Sequence, residues 1–265
     1  MPSKTNLLVV LVAAVLPGAA CLAQDAGGGK DGPRGWLRLL PVGETPPFRQ
    51  VIEGEVRREL EAPPGSIPPR LVEIPGVGNE EPETLQLSLG RVSEPVVAVA
   101  GTLPVRECDG GGAVQAEPWH QLKVPRQTAA LAVLWRDPDE KKWTKARSLL
   151  LPDGVADFAA GCIRFVNVSP YQIGVKFAGE DILLSPGKGV IRGRPRGELK
   201  QVPLLLAVGD DSGQWVTIFN STVSQAAAER TNVVVFRADG MRPRRPAKAL
   251  ILRERAVFPK LPKRE

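Results

Sequence analysis

Gly161-Cys-Ile-Arg-Phe-Val-Asn-Val-Ser-Pro-Tyr171 decides how the rest of the chain is read. Ile163 and Phe165 alternate with Arg164 and Val166, the period of a strand, and Ser169-Pro170 supply a turn. An echo stands upstream at Gly35-Trp-Leu-Arg-Leu-Leu-Pro-Val-Gly43. Both stretches open on Gly, carry Arg at the fourth position (Arg38 and Arg164) and set apolar residues around it before a turn former. The echo predicts two related β-rich modules.

Downstream of the quoted stretch, Tyr171, Ile173, Val175 and Phe177 alternate with Gln172, Gly174 and Lys176, which predicts a strand with one buried face. Further short strands are expected at Ile182–Leu184, Gly189–Ile191, Val202–Val208, Trp215–Phe219, Thr231–Arg237 and Ala247–Arg253, with turn formers between them. Ser224 to Arg230, with three consecutive alanines, predicts one or two helical turns. Upstream, strands are expected at Trp36–Leu40, Phe48–Val56, Arg70–Ile74, around Leu85, Leu87 and Leu89, at Pro95–Ala100 and at Thr102–Glu107. Leu60 to Pro82 is too rich in Pro for a long helix or a central strand, and reads as an inserted loop. Ala129–Trp135 and Trp143–Leu151 form a hairpin across Asp137-Pro138-Asp139, matched in the second module by the hairpin around Gly209.

This is an all-β class, with two tandem Ig-like β-sandwich modules, the first enlarged by a Pro-rich insertion. The expected division is a signal peptide at 1–23, a flexible leader at 24–34, an N-terminal module at 35–156, a C-terminal module at 157–255 and a basic tail at 256–265.

Lys4, the apolar run Leu7–Leu16, and small residues ending at Ala23 have the layout of a secretory signal. A competing reading acylates Cys21, although Gly18 stands where a lipoprotein cleavage box has a large aliphatic residue. Past the signal no apolar run reaches the length of a membrane span, so an exported periplasmic or extracellular chain is expected. The net charge of +6 permits contact with anionic envelope polymers. The basic clusters carry no interleaved aromatics, which speaks against nucleic acid. Cys108 and Cys162 remain after the signal; in an oxidising compartment they can form one disulfide or stay as buried thiols.

Nothing in the chain spells a reaction or calls for a cofactor. His120 is the sole histidine, too few for a metal site at ligand spacing. No Walker loop, HExxH, G-x-S-x-G or dinucleotide fingerprint is present. Glu80-Glu81, Glu107–Asp109 and Asp210-Asp211 fall in loops. Of five tryptophans, Trp36, Trp135, Trp143 and Trp215 are expected in the core, whereas Trp119, beside His120, is the candidate ligand contact.

Arg164-Phe-Val-Asn-Val-Ser-Pro170, followed by an alternating strand that ends in Gly179, resembles the opening of a β-sandwich repeat of unknown function common in exported bacterial proteins. Its pattern there is Arg-x-x-Asn/His-x-Ser-Pro, and the resemblance spans 161–239. The first module keeps only Arg38 of it, with Pro41 in place of the Asn and Gly43 in place of the Ser. The resemblance implies an Ig-like fold, an envelope or surface location and no catalytic residues. A non-enzymatic structural or binding protein is therefore expected, its partner a protein or an envelope polymer. The alternative is a carbohydrate-active protein, either a glycan-binding module or a hydrolase with an unmarked carboxylate pair.

Overall fold

The computed structural model describes residues 34–47, 49–54, 56–109, 111–126, 129–136, 142–193, 200–209, 213–240 and 243–255. The expected signal, the leader up to residue 33 and the whole basic tail at 256–265, together with Asp137–Asp139 and Asp210-Asp211, lie outside them. The strands are β1 (Arg34–Val42), β2 (Arg49–Glu53), β3 (Val56–Leu60), β4 (Leu71–Ile74), β5 (Glu83–Gln86), β6 (Val96–Val99), β7 (Gly101–Cys108), β8 (His120–Val124), β9 (Ala129–Arg136), β10 (Ala146–Pro152), β11 (Ile163–Asn167), β12 (Gln172–Phe177), β13 (Glu180–Leu184), β14 (Gly189–Arg192), β15 (Lys200–Gly209), β16 (Trp215–Gln225), β17 (Arg230–Arg237) and β18 (Ala247–Glu254). No helix occurs among the described residues, and none of them forms a helix long and apolar enough to cross a membrane.

The sheet orders repeat. In the first half β10-β9-β1-β6 faces β5-β4-β7-β8; in the second β18-β17-β11-β14 faces β13-β12-β15-β16. Strand for strand in chain order, β1 answers to β11 and β4–β10 to β12–β18, leaving β2–β3 without a counterpart. The Gly35 and Gly161 stretches thus occupy equivalent strands. Each lies between an antiparallel neighbour and a parallel one: β1 pairs β6 antiparallel and β9 parallel, β11 pairs β14 antiparallel and β17 parallel. The hairpins matched in the sequence are not equivalent, because β9–β10 answers to β17–β18 and β15–β16 to β7–β8. Both contain Leu-Ala-Val, but pairing across the sheet, not local likeness, sets the correspondence.

Period-2 patterning explains two of the three cores. Leu37 and Leu39 of β1 face Val72, Val105 and Leu122, and Ile163 and Phe165 of β11 face Ile173, Val175 and Leu206. The opposite faces of the two inner sheets are apolar as well. Leu40, Val42, Leu131, Val133 and Leu151 pack against Val166, Val168, Val234 and Phe236 in a third cluster joining the halves. Strands β1, β9, β11 and β17 are therefore covered on both sides, which is why they read as nearly continuous apolar runs instead of alternating. At about 1.5–3 kcal/mol for each buried aliphatic or aromatic side chain, this third cluster is a large driving term.

Three local expectations change. Phe48–Val56 is not one strand: the chain reverses at Gly54 (φ 65°), which gives the hairpin β2–β3. His120–Val124 is a strand, with Leu122 and Val124 inward. Ser224–Arg230 is not helical; β16 runs to Gln225 and β17 starts at Arg230. A single turn cannot meet the nucleation cost of a helix, whereas the sheet ladders on either side take up both ends of the segment.

Candidate functional site

The two arginines of the echo meet. Arg38, on the face of β1 that looks toward the second half, donates from Nε (2.9 Å) and Nη2 (2.6 Å) to Asp153 Oδ2. Arg164 of β11 donates from Nη2 to Asp153 Oδ1 at 3.2 Å and from Nη1 to the Pro152 carbonyl at 2.6 Å. Arg230, at the start of β17, lies 3.1 Å from Asp153 Oδ1 through Nη2 and donates from Nη1 to the Asp153 carbonyl at 2.8 Å. Asp153 is held at the end of β10 by its own N–H, which donates to Ala129 O.

Glu254, at the end of β18, completes the cluster. It accepts from Arg38 Nη1 (2.7 Å) and Nη2 (2.9 Å) and from Arg230 Nε (3.1 Å). Asn232 accepts from Arg164 Nε at 2.8 Å. The Phe158 ring lies 4.3 Å from the Arg164 guanidinium carbon and 5.0 Å from that of Arg230. Asp153 and Arg230 are wholly buried.

Burial pushes Arg164 down to about 10, with the Asp153 carboxylate opposing the shift and Arg230 adding to it; it remains a cation at neutral pH. Burial alone would raise Glu254, but the bonds and charges of Arg38 and Arg230 outweigh it and hold the carboxyl below the ordinary glutamate range. Burial likewise works against Arg38, and Glu254 and Asp153 overcome it and raise it. The cluster carries three cations and two carboxylates, and each carboxylate is engaged by arginine. Asp153 is wholly buried, and Glu254, 17% exposed, is held by Arg38 and Arg230. Its chemistry is that of a clamp between two sheets, and sequence reasoning missed Asp153, Arg230 and Glu254. The available signal was a charged residue within an apolar strand, Arg38 and Arg164.

The expected ligand contact is half-buried. Trp119 packs against the first core, donates from Nε1 to the Trp143 carbonyl at 2.6 Å, and stands edge-on to His120 with ring centroids 6.0 Å apart. Desolvation pushes His120 down, so its imidazole is neutral. Pro118, Gln121, Thr144 and Lys145 border a shallow hollow beside the two rings. Trp143 is in the core as expected, and Trp36 and Trp135 are half-buried.

Trp215 departs from expectation: it is 49% exposed, on the outer face of β13-β12-β15-β16. Gly174 and Gly209 leave that face bare, and the six-membered indole ring lies across both. A Cβ built at Gly174 would stand 3.0 Å from Cζ3, and one at Gly209 3.1 Å from Cη2. Leu183, Thr217 and the Lys176–Asp181 pair, at 3.4 Å, share a groove of about 520 Å³ with the ring.

Cys108 and Cys162 are both free thiols. Cys108 sits at the end of β7, opposite Leu71 of an outer sheet, while Cys162 precedes β11 of an inner one and accepts from the Thr231 N–H. They belong to different sheets, and the disulfide allowed by the sequence is not formed. Glu80 is exposed and pairs with Arg34; Asp109 caps its own loop by accepting from the Gly111 and Ala113 N–H groups. No group of three metal-ligating side chains occurs among the described residues.

No protein family matches the chain, and no curated protein matches it. Among solved structures it is similar to a candidate cell adhesion protein from Bacteroides fragilis, with 9% identity over 86% of this chain and 99% of that one. The TM-score of that superposition is 0.17, too low to carry a fold or a role across.

Proposed function

We propose that this chain is a non-enzymatic structural or binding protein of the bacterial cell envelope or surface, exported by the segment ending at Ala23. In this reading it is built of two Ig-like sandwiches, 35–156 and 157–255, the first enlarged by the Pro-rich stretch. The observation that carries the reading is the clamp at Asp153. The charges gathered at the centre of the molecule bind one another and join two sheets, an investment in rigidity that suits a spacer or a scaffold presenting outer faces. Fractionation of a bacterium producing the chain, with N-terminal sequencing of the product, tests it. A product starting at Gln24 and recovered outside the cytoplasm is expected; a cytoplasmic product still carrying the first 23 residues would overturn it.

A second reading, glycan binding, is favoured by Trp215. An indole seated on two glycines, with much of its surface exposed, is a preformed surface for stacking on a pyranose, and Lys176, Asp181 and Thr217 supply hydrogen-bonding groups beside it. Trp215 offers more exposed ring than the half-buried Trp119. On a glycan array with thermal shift in parallel, the protein is expected to bind and gain stability, and Trp215→Ala to lose at least tenfold in affinity, about 1.4 kcal/mol, while still folding. No binding and no shift would sink this reading and leave the first intact.

A further inference from the structure

The hairpin β2–β3 is the pair of described strands in the first half with no counterpart in the second. It forms a two-stranded sheet of its own, and all ten of its strand residues are exposed. Val51, Ile52, Val56 and Leu60 all stand in solvent, Ile52 at 67% and Val56 at 58%. An isolated two-stranded hairpin is marginal in water, and its unpaired edges are templates for another strand.

The sequence of β2 names the strand that fits. Its register with β3 sets Glu53 opposite Val56 beside the turn. Alternation of an antiparallel ladder from that pair leaves Gln50 and Ile52 with N–H and C=O groups directed away from β3. Set antiparallel against an identical strand and centred on Val51, β2 opposes Arg49 to Glu53 twice, Gln50 to Ile52 twice and Val51 to itself. The outward-directed residues then face one another, as the ladder demands, and no like charges meet. The same operation on β3 sets Arg58 against Arg58, a repulsive centre.

We propose that β2 is the seam of a homodimer, pairing antiparallel with β2 of a second copy to extend two hairpins into one four-stranded sheet. The contact is isologous, as a two-fold requires. A seam of five residues is far below the area of a permanent dimer, so the association is weak and rises with concentration. It does not depend on the envelope or glycan readings.

Sedimentation velocity across a concentration series tests the seam by charge reversal. Arg49→Glu or Glu53→Arg turns two attractive cross-strand pairs into repulsive ones, and each variant alone is expected to associate about tenfold or more weakly. Mixed in equal amounts, the two variants again oppose Glu to Arg at both places, and association returns. Because position 53 also lies near Arg58, at 3.6 Å, a loss in one variant alone could be local; recovery on mixing cannot. A wild-type protein that stays monomeric at every concentration, or a mixture no more associated than either variant, would overturn the proposal.

Discussion

Asp153→Ala is expected to destabilise the protein by about 3–5 kcal/mol, the usual consequence of removing one partner from a buried ion network. For a chain of this size that lowers the melting temperature by roughly 10–15 °C. The carboxylate meets Arg38, Arg164 and Arg230 with no access to water. Without it, Arg164 loses the carboxylate it pairs with, and Arg38 and Arg230 keep their pairs with Glu254. Glu180→Ala is the control: its pair with Arg192, at 2.8 Å, is exposed and contributes below about 1 kcal/mol. Equal losses in the two variants, read by denaturant unfolding, would refute the account of the cluster. The same network gives a pH dependence. Glu254 has a folded value below its unfolded one, so its contribution is full above the unfolded range and is lost as pH falls through the folded value. Unfolding midpoints should therefore drop on acidification, and Glu254→Gln should flatten part of that drop.

Asn167→Ala carries the second large effect, about 2–4 kcal/mol. The side chain is wholly buried and closes the turn after β11. Nδ2 donates to the carbonyls of Tyr171 (2.7 Å) and Leu184 (3.0 Å), and Oδ1 accepts from the Ser169 N–H (3.0 Å) and hydroxyl (2.7 Å). Truncation strands several buried polar groups at about 1–3 kcal/mol each, offset in part by water entering the space. Asn167→Asp keeps the acceptor but turns a second acceptor oxygen, in a buried carboxylate, on the Tyr171 and Leu184 carbonyls, so it should unfold at or below the midpoint of Asn167→Ala. An Asn167→Ala protein within 1 kcal/mol of wild type would contradict this role.

These two residues mark what the sequence could and could not disclose. Asn167, Ser169 and Tyr171 act within four residues of one another; the Ser169-Pro170 turn is legible locally, whereas Tyr171 reads only as the start of the next strand. Arg38 and Arg164 were visible as charges inside apolar strands, and their equivalence is correct. Their common partner was not visible, because Asp153 lies 115 residues from Arg38 and Glu254 216 residues from it. A carboxylate after a strand looks like any solvated loop residue until the sheets are stacked. An indole in a strand reads as core, which is the expectation for Trp215; the contrary signal is Gly174 and Gly209, gaps in adjacent strands that the ring covers. Strand existence was read well wherever alternation was strong, whereas the Leu-Ala-Val likeness misled because parallel pairing of β1 with β9 is non-local.

Magnitudes separate the tasks of the central layer. Nine buried apolar residues supply the attraction between the inner sheets, while a buried ion cluster contributes little net energy and much directional constraint. The halves should then unfold together, since β1, β9, β11 and β17 each belong to a sandwich core and to the shared one. Differential scanning calorimetry of the wild-type protein tests this directly. A single transition whose calorimetric and van't Hoff enthalpies agree is predicted; two separable transitions, unchanged in spacing by Asp153→Ala, would contradict it.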